Sequence, residues 1–242
     1  MNKVPLRLGN CPLIDALIEI RFESTIIENA IFGIIYSIIR DEYKGNVINL
    51  PILQIPEQIR KNDPNLRYKP LYRTESDKYI MQIGDDMLSL SSKMPYVGWN
   101  DFSTHTITLI NEIASENVIS KVTRVGHRYI NFFEGDIMDK LTISKPEIND
   151  YQTNNILLRT EIQDINNFID TVQITNSASY TPTQHLVPLT GSIIDIDSFK
   201  EYDDNYFLKN IESEINELHN CEKNMFFSLL KKDFLDSLNP IY

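Results

Sequence analysis

The sequence of 242 residues is poor in cysteine and contains no long uninterrupted apolar segment. Its two cysteines, Cys11 and Cys221, are too few for a disulfide framework or a cysteine-rich zinc site. The most apolar segment, residues 26–39, contains Glu28 and Asn29 and is shorter than the roughly 20 residues that cross a bilayer. No long apolar run follows the charged start of the chain. We therefore expect neither a signal peptide nor a membrane span, and a cytoplasmic location.

Sequence motifs of well-known enzyme classes are also missing. The eight glycines form neither of the patterns that hold nucleotide phosphates, G-x-G-x-x-G and G-x-x-x-x-G-K-[ST]. The nucleophile patterns G-x-S-x-G and S-x-x-K do not occur, and the four histidines fit no metal-ligand spacing. We therefore predict a protein without enzymatic activity and without a cofactor.

Acidic residues outnumber basic ones, with 34 Asp and Glu against 23 Lys and Arg and a formal net charge of −11. This charge opposes general binding to nucleic acids or anionic lipids, which requires a positive field. It favours a protein partner with a basic surface. Because 42% of the residues are hydrophobic and 24% are charged, the composition is that of an ordinary globular protein with a real core.

The first half of the chain predicts strand, helix, strands and helix. Apolar and charged residues alternate over residues 13–23, which is typical of a half-buried strand. Helical spacing of isoleucines predicts a helix over residues 26–43, with Ser24 or Thr25 as its cap. Strands are expected over residues 71–76 and 79–93, the latter turning back at residues 84–86. A helix follows, for which Asn100 or Asp101 is the expected cap.

The second half repeats this order loosely. It predicts strands near residues 122–133, 156–163, 168–176 and 186–199, and then a helical region over residues 204–238 with breaks. The expected fold class is α+β, with a curved antiparallel sheet and helices packed on one face. Two organisations fit: fused strand-helix-strand-strand modules over residues 1–120 and 121–242, or one continuous domain.

The strand pattern predicts a sheet face that carries charges of both signs. Asp195 and Asp197 lie on one side of a strand, about 7 Å apart, and could hold a metal ion with Glu161 as a third ligand. The alternative is a solvated strand face on which arginines such as Arg21 neutralise the carboxylates.

Residues 124–131 concentrate the most chemistry in one strand. Arg124 and Arg128 share a side and could clamp a carboxylate or phosphate, with Tyr129 and Asn131 close by. The alternative is that the two arginines neutralise acidic side chains of the neighbouring strands, Glu19 among them. His127, in the same strand, is expected to be a partly buried structural histidine.

The segment from Pro95 to Trp99 contains the only tryptophan, in a turn before a predicted helix. The indole of Trp99 either anchors this helix to the sheet or lines the mouth of a pocket. Tyr96 stands in the same turn and joins the candidate binding residues.

Four segments together resemble the successive signatures of a sporadically distributed family of uncharacterised bacterial proteins. They are residues 12–22 (PLIDALIEIRF), 95–99 (PYVGW), 124–131 (RVGHRYIN) and 194–199 (IDIDSF). Family members have two prolines where this chain has Cys11 and Pro12, and a small or hydrophobic residue in place of His127. The resemblance implies an α+β architecture and a bacterial cytoplasmic setting. It implies no activity, but sporadic families of this kind are associated with defence and toxin–antitoxin systems.

These observations rank three functions. The first is a non-enzymatic binding or regulatory subunit that acts through a protein partner, with a homodimer as an alternative assembly. The second is a small-ligand sensor. The third is a metal-dependent hydrolase that uses Asp195, Asp197 and Glu161. The ligand- or partner-binding candidates are Arg124, Arg128, Tyr129, Asn131, Trp99, Tyr96, Glu19 and Arg21.

Overall fold

The computed structural model describes residues 3–164, 166–182 and 187–242. The strands in these ranges are β1 (Arg7–Leu8), β2 (Leu13–Glu23), β3 (Ile48–Asn49), β4 (Tyr72–Glu75), β5 (Tyr79–Ile83), β6 (Met87–Ser92), β7 (Lys121–Glu134), β8 (Leu157–Gln163), β9 (Ile169–Tyr180), β10 (Leu189–Glu201) and β11 (Pro240–Ile241). The α-helices are α1 (Glu28–Ile39), α2 (Glu57–Asn62), α3 (Trp99–Ser115), α4 (Tyr206–Lys209), α5 (Ile211–Leu229) and α6 (Lys232–Ser237).

The strands confirm the predicted α+β class with a large antiparallel sheet. Nine of the described strands form this sheet in the order β3-β4-β5-β6-β2-β7-β10-β9-β8, and β1 pairs separately with β11. In the described part of the chain, no helix has both the length and the apolar character that crossing a bilayer requires.

The chain folds into two compact units, each assembled from separate segments. Unit 1 consists of Met1–Ile14, Arg128–Ser198 and His219–Tyr242, and unit 2 of Asp15–His127 and Phe199–Leu218. The chain passes from one unit to the other within β2, β7, β10 and α5. The sequence-based modules over residues 1–120 and 121–242 stay a prediction.

In unit 2, α1 and α3 cover one face of the sheet. Phe32 of α1 stacks on Tyr72 of β4, with ring centroids 4.0 Å apart. His105 of α3 stacks on Tyr79 of β5 at 4.1 Å. Tyr72 is paired with Ile83, and Tyr79 is four residues before Ile83, so both tyrosines point to the face on which Ile83 is buried. The buried residues of β2 on this side are Ala16, Ile18, Ile20 and Phe22.

Polar side chains lie on the opposite face of the sheet in unit 2. The strand register places Glu19 of β2 opposite Ser89, Ser89 opposite Gln82, and Gln82 opposite Arg73. The hydroxyl of Ser89 donates a hydrogen bond to Oε1 of Gln82 over 3.4 Å. Period-two alternation thus separates an apolar, helix-covered face from a polar face, as the pattern of β2 predicts.

The core of unit 1 lies between the sheet and the helices at the end of the chain. It is built from buried apolar side chains of β7, β9, β10, α5 and the segments around them. Its members are Phe133, Ile137, Met138, Leu141, Ile156, Val172, Ile174, Ile194, Ile196, Phe226, Leu229, Leu230 and Leu238.

The beginnings of two helices differ from the prediction. The Ser24 hydroxyl accepts a hydrogen bond from the Ile26 amide (3.0 Å) in the turn before α1, so α1 begins only at Glu28, without a side-chain cap. Helix α3 begins at Trp99, earlier than predicted. Its N-cap residue is Gly98, whose φ of 91° redirects the backbone, and not Asn100 or Asp101. The predicted strand start at Leu186 lies outside the described residues.

Candidate functional site

In unit 2, the predicted anion-binding residue Arg124 is already engaged by a carboxylate of its own chain. Arg124 donates to Oε1 of Glu19 over 3.0 Å, and Arg21 donates to the same oxygen over 2.8 Å. The Arg124 guanidinium also lies 4.1 Å from the ring centroid of Phe199, and that of Arg21 lies 4.4 Å from the ring of Tyr68. This arrangement agrees with the alternative in which the arginines neutralise the strand carboxylates.

Arg128 is engaged in the same way in unit 1. Its Nε donates to Oδ1 of Asp195 over 2.7 Å, and its Nη2 donates to Oδ2 over 2.5 Å. Two parallel hydrogen bonds from one guanidinium to one carboxylate form a strong, directional ion pair. Asp195 is therefore a partner of Arg128 in this structure.

The three predicted metal ligands do not gather at one point. Glu161 lies on β8, which is separated from the strand of Asp195 and Asp197 by β9. The side chain of Glu161 is exposed and accepts a hydrogen bond from Arg159 over 3.0 Å. Among the described residues, these three carboxylates do not form a group whose oxygens lie within 4.8 Å of one another.

The aromatic candidates lie in two places. In unit 2, the Trp99 indole donates to Oδ1 of Asn216 over 3.2 Å, and both Trp99 and Tyr96 meet the ring of Phe102 edge-on. Trp99 is the first residue of α3, so its contacts join the start of this helix to its own buried Phe102 and to Asn216 of α5. Anchoring of the helix to the sheet by the indole stays a prediction.

In unit 1, Tyr129 meets the His219 ring edge-on at 5.9 Å. Asn131 is buried and donates to the carbonyl oxygen of Ile194 over 3.5 Å.

Strand β8 of unit 1 exposes a free edge. It is the last strand in the sheet order and pairs with β9 over its whole length, Leu157 to Gln163. Its side chains are largely exposed: Leu157 and Ile162, which point to opposite sides, are 66% and 42% exposed, while Leu158 packs against the core of unit 1. The strand at the other end of the order, β3, has only two residues and is followed closely by Pro51. Among the described residues, the sheet therefore has one short edge and one long edge that no further strand covers.

Four buried polar residues of unit 1 were not recognised from the sequence. They form what we call the Glu222 cluster: Asp170 of β9, Ser198 of β10, and His219 and Glu222 of α5. The Ser198 hydroxyl donates a hydrogen bond to Oδ1 of Asp170. A ring nitrogen of His219 and a carboxylate oxygen of Glu222 lie within 4.8 Å of each other.

The sequence does contain a signal for the Glu222 cluster, because two of its charged residues occupy positions at which the strand or helix periodicity predicts an apolar residue. Asp170 is in phase with the buried Val172 and Ile174 of the same strand. Glu222 stands four residues before the buried Phe226, on one helix face. A charged residue at a core position of a strand or helix is the informative exception to the apolar pattern.

The Glu222 cluster is electrostatically unusual. Burial, followed by the charge of Asp170, raises the pKa of Glu222 well above its ordinary value, while Lys223 acts in the opposite direction. Burial also raises the pKa of Asp170, which the hydrogen bond from Ser198 partly counteracts. Burial lowers the pKa of His219 to about 3, so this imidazole is neutral at pH 7.

Comparison with known proteins gives no relative from which a role could be transferred. No protein-family model matches the chain, and no curated protein has a similar sequence.

Proposed function

We propose that the protein is a non-enzymatic binding or regulatory subunit that takes up an extended segment of a protein partner along the edge of β8. The observation that carries this proposal is the seven-residue edge strand, paired on one side and exposed at six of its seven residues. The outer N–H and C=O groups of an edge strand are a template for a further strand.

Strand β8 lacks several of the features that usually protect an edge. It contains no proline, and its one basic residue, Arg159, is paired with Glu161. Backbone hydrogen bonds would supply affinity along the strand, while Leu157 and Ile162 would contact alternate side chains of the partner on the two faces. This combination supports binding by strand addition.

The charge of the chain supports a basic partner. With 23 basic and 34 acidic residues, the chain attracts positively charged proteins and speeds their association. A bacterial defence or toxin–antitoxin system, acting in the cytoplasm, is the setting that the sequence resemblance favours. The partner would then be a product of a neighbouring gene.

Co-expression with the neighbouring genes tests this proposal. The tagged protein is purified, and the composition and mass of the complex are determined by mass spectrometry. We expect a stoichiometric partner that is lost from Ile162→Lys and from Leu157→Lys, because a buried lysine at the added strand would be unpaired. Ile59→Lys is the matched control, since Ile59 is 53% exposed on α2 and far from β8 in the chain.

The two sets of variants separate specific from general effects. Retention of the partner by both β8 variants excludes strand addition at this edge. Equal loss from Ile59→Lys shows that added positive charge alone breaks the complex, which also contradicts the proposal. If the purified protein carries no partner and forms a dimer through β8, the edge is a homodimer interface instead.

A second candidate, a small-ligand sensor, is favoured by a cleft in unit 2. The cleft has a volume of about 730 Å³, which is within the range of small-molecule sites. It is lined by Asp41, Glu42, Lys44, Gly45, Glu75, Ser76, Asp77 and Lys93. Four carboxylates and two amines suit a small molecule that carries several amino groups.

Thermal unfolding in the presence of spermidine tests the sensor. A ligand that binds the folded state raises its stability by mass action, by about 2.7 kcal/mol at a hundredfold excess over Kd. We expect a rise in Tm that Asp77→Asn reduces, while Asp233→Asn, on α6, leaves it unchanged. An equal Tm with and without spermidine removes this ligand class from the cleft.

A further inference from the structure

The Glu222 cluster of unit 1 contains a buried carboxylate oxygen that is not satisfied. Glu222 is only 1% exposed, and its Oε1 has no hydrogen-bond partner among the described residues. A buried acceptor without a partner is costly, and a buried carboxylate charge is costlier still. A bound cation would compensate both.

His219 stands where it could share such a cation with Glu222. The two residues are three positions apart on α5 and therefore point to the same side of the helix. Their nearest ligand atoms lie within 4.8 Å of each other. Two ligands bonded to one zinc ion at about 2.0–2.2 Å stand roughly 3–4 Å apart, so a small side-chain adjustment would suffice.

The donor set selects the class of metal. An imidazole nitrogen with a carboxylate oxygen suits zinc and its transition-metal neighbours, whereas magnesium and calcium prefer oxygen ligands alone. The neutral form of His219 is the form that binds metals. Asp170 is the second buried carboxyl group of the cluster, and a dication near it would favour its charged form as well as that of Glu222.

We propose that His219 and Glu222 bind one divalent transition-metal ion of the zinc class inside unit 1, with Asp170 strengthening the negative potential around it. Water or other groups complete the coordination. The ligands His219 and Glu222 lie on α5, but Asp170 is paired with Ile162 of β8. Leu157→Lys, at the other end of β8, is therefore the edge variant that tests the protein partner separately from the metal.

Zinc titration of the metal-free protein tests this site. We expect one zinc ion per chain by calorimetry, and the same stoichiometry by elemental analysis after gel filtration. Glu222→Gln keeps the shape of the side chain and removes its charge, and it should weaken zinc binding about 100-fold. Glu217→Gln, an exposed position of the same helix, is the matched control and should bind as the parent does.

A second pair of variants guards against misfolding and against thiol binding. His219→Asn should lose zinc as Glu222→Gln does, and circular dichroism shows whether each variant is folded. Replacing Cys11 and Cys221 by serine together should leave zinc binding unchanged.

Three results would overturn the metal site. The first is a parent protein that binds no zinc, in which case Glu222 is held as a neutral carboxylic acid. The second is undiminished binding by folded Glu222→Gln. The third is loss of zinc from the cysteine variant, which would assign the metal to the thiols.

Discussion

Replacing Gly191 by alanine is expected to lower the free energy of unfolding by about 3 kcal/mol or more, the upper range for overpacking. A Cβ at Gly191 of β10 would stand 2.1 Å from the carbonyl oxygen of Phe133. The backbone cannot easily retreat here, because the Ser192 hydroxyl donates to the carbonyl of Gly135 (2.7 Å) and accepts from the amide of Ile137 (3.1 Å). Urea denaturation of the parent and the variant measures the loss.

Gly33→Ala is the matched control for this substitution. Gly33 lies inside α1, where an added Cβ would meet nothing within 4 Å. Alanine is the better helix former, so this variant should gain about 0.5–1 kcal/mol. If Gly191→Ala changes the free energy of unfolding by less than about 0.5 kcal/mol, the close approach of β10 to Phe133 is wrong.

The elements of the fold could be predicted wherever one face of a segment is buried and the other is not. The alternation around Ile18 and Ile20 predicted a strand over residues 13–23, and β2 has these bounds. Helix starts were predicted less well. At Gly98 the backbone adopts a positive φ that glycine allows, and this outweighed the side-chain caps that Asn100 and Asp101 offered.

The candidate sites were harder to predict, because they depend on residues distant in the sequence. The pattern of residues 156–163 predicts a strand, but it does not tell where that strand lies in the sheet. Only the strand order shows that β8 is at the edge. The Glu222 cluster needs β9, β10 and α5 to meet. The apolar pattern marks Asp170 and Glu222 as charged residues at core positions, but it does not show that they lie together. The arginines of β7 were identified from the sequence. Their pairing with carboxylates of the same chain, Glu19 and Asp195, was only one of two alternatives, the other being a site for an external anion.

Substitution of Arg128 distinguishes a structural role of its ion pair with Asp195 from a role in binding. Arg128→Met is expected to lower the free energy of unfolding by about 2 kcal/mol, because Asp195 is buried and loses two charge-assisted hydrogen bonds. Asp195→Asn weakens the same pair from the other side. In a double-mutant cycle measured by urea denaturation, the two substitutions should be non-additive by at least about 1 kcal/mol.

Arg159→Met provides the comparison within unit 1. Arg159 and Glu161 are also paired, but both side chains are more than half exposed, so this change should alter stability by less than about 0.5 kcal/mol. A loss for Arg128→Met no larger than for Arg159→Met would contradict a structural ion pair. If the folded Arg128→Met variant then failed to hold its protein partner, Arg128 would act by reaching an acidic group of that partner, and Asp195 would serve to orient its guanidinium.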